Sequence, residues 1–499
     1  LVAAIDVTVG DIMLADGKVS ITATAGSILD ADALVNLAND SSQDITASAL
    51  RLSAGTGIAG SVNHLETTVG TLTARAAAGD IYLLEANDLT VDDVGLSVNR
   101  VASDSSTATG NSTDTVQSDV RTTGGNGTIV LRTTAGSITL NNGTAPNNDT
   151  AISADGTGHV LVQALGVNTD ITLNADIISG SGNLSVLAAR SVSLTGTADL
   201  RTTSTAAGSG SIDVEAGTGS ITQSATSEML SMGVTATARL VAAIDVTVGD
   251  IVLADGKVSI TATAGSILDA DTLVNSANDA NQDITAAKLR LSAGTGIAGS
   301  VNHLETTVGT LTARAAAGDI YLLEANDLTV DDVGLSVNRV ASDSSTATGN
   351  STDTVQSDVR TTGGNGTIVL RTTAGSITLN NGTAPNNDTA ISADGTGHVL
   401  VQALGVNTDI TLNADIISGS GNLSVLAARS VSLTGTADLR TTSTAAGSGS
   451  IDVEAGTGSI TQSATSEMLS TGVTATARLV AAIDVTCLLY TSPSPRDRG

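Results

Sequence analysis

Along the chain, short runs of alternating apolar and polar residues are separated by corners of small residues. Such runs are IDVTVGDIML (5–14), VSITATAGSIL (19–29), LRLSAGTGIAG (50–60) and LTARAAAGDIYLL (72–84). They continue as IVLRTTAGSITL (129–140), VLVQALGVNTDITL (160–173), LSVLAARSVSL (184–194) and IDVEAGTGSIT (212–222). Period-two alternation rich in β-branched residues predicts short strands with one buried face. The A-G-S/D-I corner supplies a Gly where the chain must bend, with a positive φ as one reason for it. The Asp or Ser beside that Gly is able to hydrogen-bond the local backbone.

A longer period encloses the short one. LVAAIDVTVGDI begins at Leu1, returns at Leu240 and starts again at Leu479, a period of 239 residues. The first two copies, 1–239 and 240–478, differ at eight positions: Met13/Val252, Ala33/Thr272, Leu37/Ser276, Ser41/Ala280, Ser42/Asn281, Ser48/Ala287, Ala49/Lys288 and Met232/Thr471. Near-identity over such a length points to tandem duplication, which extends a spacer or adhesive array more readily than it duplicates an active site. Eight units per copy give about thirty residues each, a length suited to one coil of a β-solenoid with its loops. The fold expected is therefore all-β, a parallel β-helix of about sixteen coils stacked about 4.8 Å apart.

Three segments depart from the rhythm. SDSSTATGNSTDTVQSD (103–119) lacks apolar periodicity and reads as a solvated projecting loop. NNGTAPNNDT (141–150) carries the repeat's only Pro and reads as a turn-rich protrusion. DADALVNLAND (30–40) has Leu34, Leu37 and Ala38 at helical spacing and is open to a short helix. A third copy begins at 479–486 and gives way to CLLYTSPSPRDRG (487–499), which holds the only Cys, two of the four Pro and one of the three Tyr. This tail resembles the translation of a transposase-tagging sequencing adapter and is expected to be a read-through artefact, just as a start at Leu1 leads us to expect a missing natural N-terminus.

Composition sharpens this picture. There is no Phe or Trp, so the core has to be thin and built from Ala, Val, Ile and Leu. A net charge of −29 argues against nucleic acid, whose binding needs clustered cations, and against anionic membrane surfaces. No apolar run reaches the roughly 18 residues of a membrane-spanning helix. With Cys487 set aside, disulfides and thiolate metal sites are excluded, as in large exported bacterial proteins.

Candidate chemistry is sparse. Gly55, Gly57 and Gly60 fit the dinucleotide pattern G-x-G-x-x-G, but the sequence that follows has no helical period to face a pyrophosphate. His64, His159, His303 and His398 stand at no metal-ligand spacing. Glycoside hydrolysis requires two carboxyl groups at a set separation. Asp92 with Asp93, or Asp80 with Glu85, are the candidates, with Tyr82 and Tyr321 the only aromatic platforms inside the repeats. Calcium is the ligand best suited to Asp-rich turns such as Asp30 with Asp32 or Asp92 with Asp93. Yet GGNGTIVLR (124–132) departs from the calcium-binding β-roll nonapeptide, placing Ile129 where Asp is required. Thr-x-Thr pairs are too irregular for a flat ice-binding face. No catalytic, cofactor or metal residue is assigned, and no cofactor is expected.

The units GDIYLLEANDLTVDDVG (79–95) and AGSITLNNGT (135–144) resemble, in pattern and composition, the large bacterial exoproteins of the filamentous-haemagglutinin and adhesin type. The resemblance covers nearly all of residues 1–486. It implies a right-handed parallel β-helix, export across the outer membrane, and a role as stalk or attachment array at the cell surface. Host or neighbouring-cell glycans or proteins are then the expected partners of a monomeric rod. The alternatives are a polysaccharide-active β-helix enzyme and an ice-binding or calcium-binding solenoid.

Overall fold

The computed structural model describes residues 1–31, 43–108, 110–203, 210–271, 282–347, 349–442 and 449–486. The candidate helix at 30–40 falls almost wholly outside these residues, and so does the tail at 487–499. Among the described residues there is no helix; short strands and turns follow one another throughout. The chain forms two compact units, Leu1–Thr263 with Leu335–Asp353, and Ala264–Gly334 with Thr354–Gly499.

Each unit is a parallel β-helix. In the first, Ile129, Val160, Leu184, Ile212 and Ala238 stack in register along one sheet. Val120, Ile152, Ile177, Leu200 and Met229 stack along a second. Ile138, Ile171, Val192, Ile221 and Val246 stack along a third. All of these side chains are fully buried. Each strand of these stacks thus meets its neighbours in the coils below and above, which satisfies its backbone groups on both edges. The inward positions taper along a strand: Leu184, Val186 and Ala188, then Ile212, Val214 and Ala216, so the smallest residue lies nearest the turn. The second unit repeats this scheme in Ile368, Val399, Leu423 and Ile451, and in Ile377, Ile410, Val431 and Ile460. A core this thin has no large irregular centre for aromatic rings to fill.

The corner glycines serve a purpose other than the one the sequence suggested. Gly136 does not lie in the left-handed φ region; instead a Cβ on it would stand 1.9 Å from the carbonyl carbon of Asn87 in the neighbouring coil. Close stacking of backbone on backbone excludes any side chain there. The polar residue beside the glycine does bind backbone, but that of the next coil. The amide of Ser137 donates to Asp88 Oδ1 at 2.7 Å, that of Asp170 to Ser137 Oγ at 3.0 Å, and that of Ser191 to Asp170 Oδ1 at 3.1 Å. The series continues through Ser220 and Asp245.

The two expected surface loops are more ordered than their sequences indicated. Val94–Val98 pairs antiparallel with Ser112–Gln117, so the expected loop at 103–119 includes the returning strand of a two-stranded arm. Short alternation in STDTVQ, without large apolar residues, hid that strand. The segment 141–150 is turn-rich as expected but tied down: the carbonyl of Ala145 accepts from the Ser118 amide at 2.9 Å and from Arg75 Nη2 at 2.7 Å.

Candidate functional site

Alternation sends a residue near the start of each strand in one sheet outward. In register these residues form the column Tyr82, Val130, Leu161, Ser185, Asp213 and Arg239. Three large apolar groups, a hydroxyl, a carboxylate and a guanidinium thus lie in a line on an outer face where solvent-facing polar residues are the rule. In the first unit this column is covered by the arm of the second repeat, Leu335–Asp353.

The contact alternates polar and apolar elements. Arg339 bonds Asp213 through Nε at 2.5 Å and Glu215 through Nη2. Arg239 reaches back from the column to Asp353 at 3.1 Å and also meets Asp213 at 3.3 Å. The Val340 amide donates to Ser185 Oγ at 3.0 Å, while its side chain packs on Tyr82, Val130 and Leu161. At the far end the Tyr82 hydroxyl donates to Ser344 Oγ at 2.8 Å, and His64 Nε2 donates to the carbonyl of Ser342 at 3.1 Å. Burial drives the His64 pKa down to about 4, so its imidazole is neutral at physiological pH. For Arg339 burial opposes the charge, but the hydrogen bonds and charges of Asp213 and Glu215 outweigh it and raise its pKa.

The same residues in the second unit form the column Tyr321, Val369, Leu400, Ser424, Asp452 and Arg478. There Val369, Leu400, Ser424 and Asp452 are only partly buried, whereas their first-repeat equivalents are fully so. Arg478 is 56% exposed and Arg239 12%. The arm of the first repeat shows the mirror difference: Val101 is 64% exposed where Val340 is 1%.

The residues flagged for chemistry are otherwise occupied. Ile58, within the glycine-rich stretch, is a buried bridge between Ile28 and Ile81, and no helix follows it. His159 belongs to a corner ladder: the Thr128 amide donates to Asp80, the His159 amide to Thr128 Oγ1, the Asn183 amide to His159 Nδ1, and the Ser211 amide to Asn183 Oδ1. His398 takes the same place in the second unit, accepting from the Asn422 amide at 2.9 Å. His303 is buried, with its ring centroid 5.5 Å from that of Tyr321. Asp92 accepts from Asn141 Nδ2 and Asp93 from the amide and hydroxyl of Thr144, so both hold the next coil. Glu85 is fully buried, accepting from Thr67 Oγ1 and from the Val69 and Asn87 amides; burial lifts its pKa to about 7.

Two acidic clusters escaped the sequence reading because their members are distant along the chain. Asp30, Asp44 and Glu66, and in the second repeat Asp269, Asp283 and Glu305, bring carboxylate oxygens within 4.8 Å of one another. Asp44 accepts from the Glu66 amide at 2.8 Å, and Asn63 Nδ2 donates to Asp30 at 2.6 Å. Burial first, then the neighbouring carboxyls, hold Asp44 and Asp283 well above the usual carboxylate range. An all-oxygen donor set suits hard cations, but the raised carboxyls of Asp44 and Asp283 work against holding one. Asp32, paired with Asp30 in the sequence reading, lies outside the described residues. Among protein-family models, curated proteins and solved structures, none matches this chain.

Proposed function

We propose that this chain is a structural, non-enzymatic repeat region of a secreted or cell-surface bacterial exoprotein of the filamentous-haemagglutinin type, serving as stalk or attachment array. The observation that carries the reading is where the acidic and hydroxyl side chains are spent. At the corners they accept backbone amides of the next coil, through Asp88, Ser137 and Asp170 and through Asp80, Thr128 and His159. The carboxylates weighed for hydrolysis are engaged in the same way, which leaves Asp80 and Glu85 holding separate backbone groups rather than converging on a substrate. The near-identical 239-residue copies extend this scaffold without altering it. Labelling of intact, unpermeabilised cells of the source organism with antibody raised against residues 1–239 tests the reading. Signal at the surface is the expected result; signal only after permeabilisation overturns it.

A further inference from the structure

The arm of the first repeat and the outward column of the second are the two halves of a contact that the first unit already makes. Residues 96–114 are identical in sequence to 335–353, and every column residue from Tyr321 to Arg478 is identical to its counterpart from Tyr82 to Arg239. Where the halves meet, Val337 and Val340 are buried to 0% and 1%. On the first repeat's arm the equivalent Val98 and Val101 are exposed. On the second repeat's column Asp452 and Glu454 pair, among the described residues, with Arg478, and 38% and 44% of their side chains are exposed.

We propose that the first-repeat arm of one molecule docks on the second-repeat column of another molecule of this chain, giving a head-to-tail assembly. The recognition is spelled out by the contact within the first unit. Arg100 takes the place of Arg339 and meets Asp452 and Glu454. Asp114 takes the place of Asp353 and meets Arg478. Val101 takes the place of Val340 and covers Tyr321, Val369 and Leu400. Charge complementarity and apolar burial therefore coincide at residue level. The two surfaces differ, so the contact is heterologous and does not close on itself; each added molecule presents a new arm and a new column. This replaces the monomer expected of an isolated rod. The inference goes beyond the stalk reading and stands apart from it: an array that binds no foreign surface docks in the same way.

Sedimentation velocity on the full chain, under reducing conditions so that Cys487 forms no disulfide, is the test. The wild-type chain is expected to show a mass that grows with concentration. Arg100→Glu removes the arm's half and Asp452→Lys with Glu454→Lys removes the column's half, and each weakens association about tenfold or more. Mixing the two variants restores association, because the unaltered arm of one meets the unaltered column of the other and the reversed charges on the remaining arm and column complement each other as well. A wild-type chain monomeric at all concentrations overturns the proposal. So does association that survives Arg100→Glu, or a mixture that stays monomeric. None of these outcomes bears on surface labelling of cells, so the two readings fail separately.

Discussion

Ile138 lies fully buried between Leu89 and Ile171, one coil below and one above. An aspartate there has neither water nor a hydrogen-bond partner, so Ile138→Asp is expected to cost about 3 kcal/mol or more. Thr139→Asp, on the outward side of the same strand, is expected to cost under about 1 kcal/mol. Chemical denaturation followed by circular dichroism separates the two; equal midpoints mean that the inward assignment is wrong. Which residues face the core was legible from alternation alone, since a two-residue period fixes one face whatever the coil's neighbours are. The purpose of the corner glycine was not. A φ preference is local, whereas the 1.9 Å approach of a Gly136 Cβ to Asn87 depends on a residue 49 positions earlier. Gly136→Ala is accordingly expected to destabilise by about 2 kcal/mol or more through overpacking, visible in the same denaturation series.

The arms supply an experiment with its own control, because one sequence occupies two environments. Arg339 pairs with a fully buried Asp213 side chain, and Arg100 has the same neighbours in sequence without that contact. Removing the guanidinium at 339 leaves Asp213, among the described residues, with its ion pair to Arg239 at 3.3 Å. Arg339→Ala is expected to cost about 2–4 kcal/mol, on the scale of a broken buried pair, and Arg100→Ala no more than about 0.5 kcal/mol for the isolated monomer. Hydrogen exchange gives the residue-level reading: the Val340 amide, donating to Ser185 Oγ, exchanges slowly in the wild-type chain and fast in Arg339→Ala. The Val101 amide exchanges fast in dilute solution in both. Comparable protection at Val101 and Val340 contradicts the asymmetry. The sequence could show that residues near 103–119 break the coil rhythm, and it did. It could not show that one copy of the arm is buried and the other is not, since no residue between 96 and 114 differs from its counterpart. That distinction arises from contacts such as Arg339 to Asp213, 126 positions apart, which no local pattern encodes.

At the scale of the molecule, buried acids set how stability responds to pH. Glu85 and Glu324 are raised to about 7, with burial the first cause and their hydrogen bonds to Thr67 and Thr306 opposing it. Asp44 and Asp283 are raised further, by burial and by neighbouring carboxyls. A carboxyl raised on folding binds more protons folded than unfolded, so its contribution is complete below the unfolded value and lost as pH climbs through the folded one. His64 and His303, lowered to about 4 by burial, act in the opposite sense, but only below their unfolded value of 6.5. Between about pH 7.5 and 8.5 the histidines are almost wholly neutral in both states, and the raised carboxyls of Glu85, Glu324, Asp44 and Asp283 all act in one direction. Thermal midpoints are therefore expected to fall by several degrees over that window. The net charge of −29 offers a rival cause, because self-repulsion also grows as protons leave. Salt separates the two: repulsion among exposed charges is screened at high ionic strength, while titration of a fully buried carboxyl is screened much less. If the slope persists in high salt, is reduced in a Glu85→Gln, Glu324→Gln double variant and is reduced further when Asp44→Asn and Asp283→Asn are added, the buried carboxyls are its source. If salt abolishes it, surface repulsion is the cause and the burial argument fails.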